Sequence, residues 1–432
     1  MHRQFCYYVR QIVPRSTILK LYNTMNRRKD VFEPMDPAKV NIFTCGPSTY
    51  RRPHIGNYRT FLYEDVLVRY LTYAGYAVKR VINFTDVEDK TIVEAENKGR
   101  NVEEITAEVH KHFFRETELL GILLPDEIPR SSTSVDQAVE IIKDLVDKGV
   151  AYWHKGSAFF DPLKYKGFGR LFGLDMSVWP KKRVRFKKDT YEGRRWNRGD
   201  FILWHGDVDQ SDETAFWRTE IGPGRPSWNI QDPAMILQQI GTQIDINCGG
   251  IDNIYRHHDY NIAVMESFSG KTFANYFLHG EHLIVDGVAM SKSRGNILYP
   301  DDLVDQGYEH KHLRFFLTYS HYRSKLNFTS KTFKDASAIL DKFRSRLDAI
   351  LDGQSANGKE NDTVNELIAS VAETFGEYMD DDLRLGDAFD AVYALLGKIE
   401  TALDGESVGK NAAAKLVGTM KDIDDVFGVI FP

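Results

Sequence analysis

Only three cysteines, Cys6, Cys45 and Cys248, occur in the 432 residues. So odd and sparse a set is not the disulfide framework of a secreted scaffold, which makes a reducing cytoplasm the expected compartment. No apolar run reaches the ~18 residues that a membrane span requires, so no membrane partner is expected. Positive charge is not in excess either: 56 Lys and Arg stand against 62 Asp and Glu, for a net charge of −6. That balance supplies no electrostatic argument for a nucleic-acid partner, although it does not exclude one. An internal repeat is also missing. Residues 1–17 form an extension whose first fifteen residues hold Arg3, Arg10 and Arg15 but no acid. It reads as an organelle-targeting segment or as a disordered extension.

What remains is the composition of an ordinary globular protein, 42% hydrophobic and 27% charged, long enough for two to four domains. Val40-Asn41-Ile42-Phe43 alternates and then meets Cys45-Gly46-Pro47, the pattern of a strand ending in a turn. Tyr63, Val66, Leu67, Tyr70, Leu71 and Ala74 share one helical stripe, closed by Gly75. Residues 77–84 read as a second strand. Strand, helix and strand at this spacing predict a βαβ unit and a parallel sheet. From about Ser131 to Gly224 aromatic and basic residues mix with Gly and Pro. The run Lys181 to Lys188 suits a solvated strand or loop better than a nucleic-acid contact. Strand patterns return at residues 244–246 and 282–285. After Pro300, stripes such as Leu340, Phe343, Leu347 and Ile350 predict a helical bundle.

Three short segments carry chemistry. His54-Ile55-Gly56-Asn57 lies between the first strand and its helix, where a glycine admits a ligand to the backbone and the helix N-terminus favours phosphate. His54 could donate to a phosphate oxygen there. Met290-Ser291-Lys292-Ser293 follows a strand and a turn, and Lys292 suits a mobile clamp on a leaving pyrophosphate. Gly249-Gly250-Ile251-Asp252 ends a strand and suits adenosine, with Asp252 accepting from ribose hydroxyls. A simple tight turn fits that last segment equally well.

These segments, together with Cys45-Gly46-Pro47-Ser48-Thr49-Tyr50, Asn83-Phe84-Thr85-Asp86-Val87-Glu88-Asp89-Lys90, His257-His258 and His321 to Asn327, occur in the order found in the cysteinyl-tRNA synthetase family. The chain resembles that family, including its short relative, the cysteine ligase of the mycothiol pathway, over about residues 18 to 430. The resemblance implies an α/β class I synthetase catalytic domain: a Rossmann-type parallel sheet with an insertion, followed by an all-α helical bundle. The expected boundaries are catalytic halves at 18–130 and 225–300, a connective insertion at 131–224, a stem-contact-like region at 301–352 and a bundle at 362–432. It also implies an ATP-dependent, AMP-forming ligase that uses Mg2+ and passes through an aminoacyl-adenylate. His54, Asn57 and Lys292 are the expected catalytic residues. Gly46, Thr49, Gly56, Gly249, Gly250, Asp252, Met290 and Ser291 join them around the nucleotide. Cys45, Thr85, Trp228, Asp232, His257 and Asn261 are expected around the amino acid.

The chain departs from the family where thiol is sensed. The family holds zinc with two cysteines, a histidine and a glutamate. The corresponding positions here are Cys45, Asp232, His257 and Asn261. With one thiolate lost and an amide in the last position, a degenerate site at Cys45 and His257 that binds zinc weakly or not at all is expected. A pocket without metal separates cysteine from serine or alanine by only ~1–3 kcal/mol. The expectation from sequence is therefore an activated acid other than cysteine. Asp232 then either faces the substrate side chain or caps a backbone amide. Two further departures are Ala289 at the first lysine of the lysine loop and Asn57 where many relatives have histidine. The sequence also stops where tRNA-charging relatives continue into an anticodon-reading domain. A small amine or hydroxyl acceptor is accordingly expected before tRNA, in a monomer or homodimer. Cysteine charging of tRNA and a non-catalytic nucleotide-binding paralogue are the alternatives.

Overall fold

The computed structural model describes residues 18–178, 199–206, 215–352, 354–355, 358–359 and 362–431. The extension at 1–17 and the basic run at 181–188 lie outside these residues. At the centre is a parallel sheet in the spatial order Ala274–Gly280, Ile244–Gly250, Lys39–Thr44, Ala77–Ile82. Val40 and Ile42 of the Lys39–Thr44 strand point to one face and Phe43 to the other, and all three are fully buried. A strand covered on both sides is what parallel pairing demands. One face packs on the helix Ile55–Tyr73 and on the C-terminal helices. The other packs on the helices Val135–Asp147, Trp228–Gln239 and Asp259–Ser269.

The Ile55–Tyr73 helix lies in the core on nearly every side, burying Arg59, Glu64 and Asp65 along with its apolar residues. Gly75, at φ 107°, turns the chain back into the sheet, as its place in the sequence indicated. Between the two halves of the parallel sheet, five antiparallel strands run in the order Ala151–His154, Ser157–Phe160, Phe201–His205, Gly222–Pro226, Trp217–Thr219. After the sheet come the helices His310–Tyr319, Ser330–Asp352, Asp362–Met379, Leu385–Leu403 and Lys410–Phe427. The predicted α/β architecture with C-terminal helices is therefore present. Periodicity had not revealed the strand Ala274–Gly280, nor the hairpin pairing Lys20–Asn23 with Arg28–Val31. No described helix is long and apolar enough to cross a membrane.

Two buried arginines bind the C-terminal helical region to the Ile55–Tyr73 helix that packs on the sheet. Arg59 donates to the carbonyls of Leu317, His321 and Ser324 at 2.9, 3.0 and 2.6 Å. Arg314 donates to Leu120 O at 3.0 Å, Phe427 O at 2.8 Å and Asp65 Oδ2 at 2.7 Å. Burial alone would raise the Asp65 carboxyl, but Arg69 and Arg314 outweigh it and hold the group below the usual carboxylate range. Removing one partner of a buried ion pair strands the other charge. Asp65→Ala should therefore lower the unfolding free energy by about 3–5 kcal/mol, read as a large fall in the thermal midpoint. An unchanged midpoint would mean that carbonyl contacts alone satisfy Arg314.

Candidate functional site

Three strands of the parallel sheet deliver the predicted segments to one place. Lys39–Thr44 runs into Cys45-Gly46, Ala77–Ile82 into Asn83, and Ile244–Gly250 ends on the glycine pair. Crevices beyond the carboxyl ends of parallel strands are where ligands bind in such sheets.

His54 caps the Ile55–Tyr73 helix. Its Nδ1 accepts from Gly56 N–H at 3.1 Å, and Asn57 Oδ1 accepts from His54 N–H at 3.0 Å. Burial holds the imidazole below its ordinary pKa, so the ring is neutral near pH 7 and its remaining proton sits on Nε2. The first turn carries no acid, leaving the positive end of a 19-residue helix uncompensated. With its oxygen engaged in the cap, the group Asn57 can offer a ligand is Nδ2–H.

The lysine loop lies against this helix start. A Cβ at Gly56 would stand 2.8 Å from Met290 Cε and 3.0 Å from the His54 ring, so Met290 of the loop packs directly on this glycine. Ile55 N–H also donates to Leu298 O at 3.0 Å. Asn296 Oδ1 accepts from Ser291 N–H at 2.9 Å and Arg294 donates to Ala289 O at 3.0 Å, folding the loop around an exposed Lys292. Gly46 has no room for a side chain, because a Cβ would run into the Asn83 carbonyl. Thr49 Oγ1 donates to Thr85 O at 2.6 Å. Asp252 is exposed on the short turn Ile251–Asn253, directly after the glycine pair.

The amino-acid side of the site is a buried polar cluster. Asp232, 1% exposed, accepts from Asn83 Nδ2 at 2.7 Å and from Asn261 Nδ2 at 3.3 Å, and stands 2.8 Å from His257 Nε2. Asp232 thus collects three side-chain partners, whereas the sequence had left open the substrate side chain or a backbone amide. The Trp228 ring stacks on His257 at 4.7 Å and 3°. Cys45 Sγ lies 3.2 Å from His258 Nε2. His258 Nδ1 lies 2.8 Å from His279 Nε2, and His279 Nδ1 lies 2.8 Å from Thr24 Oγ1. Burial, followed by the charges of Asp232 and Glu64, pushes the Cys45 thiol well up, so without a cation beside it the group stays protonated. Burial also pushes His279 down to about 3.

The predicted residues thus fall into two neighbouring groups, one around the helix start and one around Asp232. Asn83 and His258 were not singled out from sequence, although both lie in segments that were recognised. The residues present fit a metal: a thiol and two imidazoles converge, and His257 Nδ1 is buried with no hydrogen-bond partner among the described residues.

The fold is that of the class I aminoacyl-tRNA synthetases. Methionyl-tRNA synthetase of Mycobacterium tuberculosis, in complex with methionyl-adenylate, matches with a TM-score of 0.64 at 15% identity, covering 91% of this chain and 90% of that one. The Agrobacterium radiobacter K84 leucyl enzyme, in a ternary complex with tRNA, matches with a TM-score of 0.63 at 11% identity, covering 92% and 84%. Within the class, a family model described as the class I (C) tRNA synthetase catalytic domain matches residues 31–338, and the chain belongs to that family. The cysteine–tRNA ligase of Chlamydia pneumoniae is 36% identical over 417 residues, covering 95% of this chain and 86% of the relative. That of Protochlamydia amoebophila is 33% identical over 416 residues, with 95% and 86% covered. As a member, the chain is an ATP-dependent, AMP-forming ligase whose reaction uses ATP with Mg2+.

These relatives overturn two expectations from sequence, that the activated acid is not cysteine and that a small amine is a better acceptor than tRNA. The first rested on equating two substituted positions with loss of thiol sensing. The second rested on a charge averaged over the chain and on where the sequence stops, and neither quantity describes the acceptor site.

Lys292→Ala should lower the rate of adenylate formation by about two orders of magnitude, the cost of one lost transition-state donor. The thermal midpoint should not move, because Lys292 is exposed. Pyrophosphate exchange measures the first quantity. A rate close to that of the unmodified protein would remove Lys292 from the phosphate clamp.

Proposed function

We propose that this ligase activates cysteine and charges tRNA with it. The observation that carries the reading is the match, along 95% of the chain, to relatives named cysteine–tRNA ligase, together with a helix start whose first turn carries no acid. In the first step the cysteine carboxylate oxygen attacks the α-phosphorus of ATP. The bond to the bridging oxygen breaks and pyrophosphate leaves. Charge accumulates on the phosphate oxygens, within the reach assigned to His54 Nε2–H, Asn57 Nδ2–H and the Lys292 ammonium. The helix dipole adds to them. Gly46 and Gly56 keep the backbone open to the nucleotide. Gly249, Gly250 and Asp252 seat adenosine, Asp252 accepting from the ribose. In the second step a terminal ribose hydroxyl of tRNA attacks the adenylate carbonyl and AMP departs.

No side chain need form a covalent intermediate, since positioning and charge stabilisation suffice. Cys45, Thr85, Trp228, Asp232, His257 and Asn261 shape the amino-acid pocket. A zinc ion bound there would supply a soft Lewis acid that selects thiolate over hydroxyl.

Amino-acid-dependent pyrophosphate exchange over a panel of amino acids tests the first step. Cysteine should give the fastest exchange, with serine and alanine at least tenfold slower, a ratio worth about 1.4 kcal/mol. Charging of total tRNA with radiolabelled cysteine tests the second. Exchange with another amino acid and none with cysteine would sink the reading.

A further inference from the structure

The family's zinc cage uses a second cysteine and a glutamate at positions that hold Asp232 and Asn261 in this chain. Counting by position leaves too few donors. The geometry supplies one that such counting omits. Cys45 Sγ and one nitrogen each from His257 and His258 lie within 4.8 Å of one another. The histidines are buried, at 7% and 0% exposure. His257 Nε2 is engaged by Asp232 Oδ2 at 2.8 Å, while its Nδ1 is buried without a hydrogen-bond partner among the described residues. Leaving such a nitrogen unpaired is costly. A histidine that donates one ring N–H to a carboxylate and presents the other nitrogen to a metal is the usual arrangement of such ligands. His258 Nε2 faces Cys45 and its Nδ1 is engaged by His279, which Thr24 holds in turn, while Asp232 lies outside the convergence of Cys45, His257 and His258. Gly249 admits this ring, since a Cβ there would stand 2.9 Å from His258 Cε1.

We infer that Cys45, His257 and His258 are the protein ligands of a zinc ion, that Asp232 is the positioning residue behind His257 and not a ligand, and that the fourth position is left to substrate thiolate. The ligand set has shifted within the His257-His258 pair, so His258 stands in for the missing thiolate. One thiolate and two imidazoles suit zinc, and three protein ligands leave the open position of a catalytic site. Zinc binding displaces the Cys45 proton to solvent. Only the assignment of the fourth position rests on the cysteine reading above.

The test uses the full chain. Elemental analysis after exhaustive dialysis should return one zinc per chain, and Cys45→Ala and His258→Ala should each lose it. Asp232→Asn should keep the ion with affinity lowered about 10- to 100-fold, as for other groups behind a metal ligand. Replacement by Co2+ should give a tetrahedral thiolate spectrum that changes on addition of cysteine and not of serine. Circular dichroism checks that each variant folds. If His258→Ala does not fold, the Co2+ spectrum of His258→Gln replaces it. Full zinc affinity in a folded His258 variant overturns the ligand set, as does complete loss of metal in Asp232→Asn or a metal-free unmodified protein. Cysteine-dependent exchange by a metal-free protein would overturn this inference and leave the proposed function intact. Bound zinc with no cysteine-dependent exchange would support the ligand set and strike the proposed function instead.

Discussion

A carboxylate buried at Asp232 sets the constraint that organises the amino-acid side of this molecule. A charge 1% exposed is tolerable only if donors replace the water it has lost. Each donor comes from a different part of the chain. Asn83 follows the second strand of the parallel sheet, His257 follows the glycine pair, and Asn261 lies on the Asp259–Ser269 helix. Holding the carboxylate thus ties both halves of the sheet together across the crevice. Asn83 extends the arrangement, because its Oδ1 accepts from Gly46 N–H at 2.5 Å. The close approach of Gly46 to Asn83 is then part of one network that runs from the nucleotide side to the amino-acid side.

The helix start is built on different physics, from neutral or cationic donors, His54, Asn57 and Lys292, around a turn that carries no acid. An exposed Lys292 and a neutral His54 cost little to keep in that state. The two groups should therefore differ in their tolerance of substitution. A loop lysine can be lost without strain, whereas any substitution at Asp232, Asn83 or His257 leaves a buried partner unsatisfied.

Much of the fold was legible because its signals are local. The helix that starts at Ile55, its termination at Gly75 and the strands on either side follow from apolar spacing and from glycine. The strand Ala274–Gly280 was not legible: it is buried along nearly its whole length, so no alternation marks it. The segments expected around the nucleotide could be picked out because each is short and contiguous. The cluster around Asp232 was not, because it joins residues from position 45 to position 279, and no pattern along the chain records that His258 faces Cys45. From sequence only His257 of the pair was assigned to the amino acid, because ring orientation leaves no trace along the chain.

The two substitutions in the cage are best understood as one change. With Asp232 in place, a glutamate at position 261 would bring a second carboxylate to the position from which Asn261 Nδ2 now donates at 3.3 Å. Two buried like charges at such separation repel, and one would have to take up a proton. An amide at 261 turns that repulsion into a hydrogen bond. The reverse also holds: asparagine beside a cysteine at 232 would have no carboxylate to donate to. Asp232 and Asn261 are therefore coupled, and together they keep one negative charge 2.8 Å from His257 Nε2, where it orients the ring. In the proposed zinc site, the two substitutions alter how the imidazole is held, and Cys45 and the two histidines are the groups left to hold the ion.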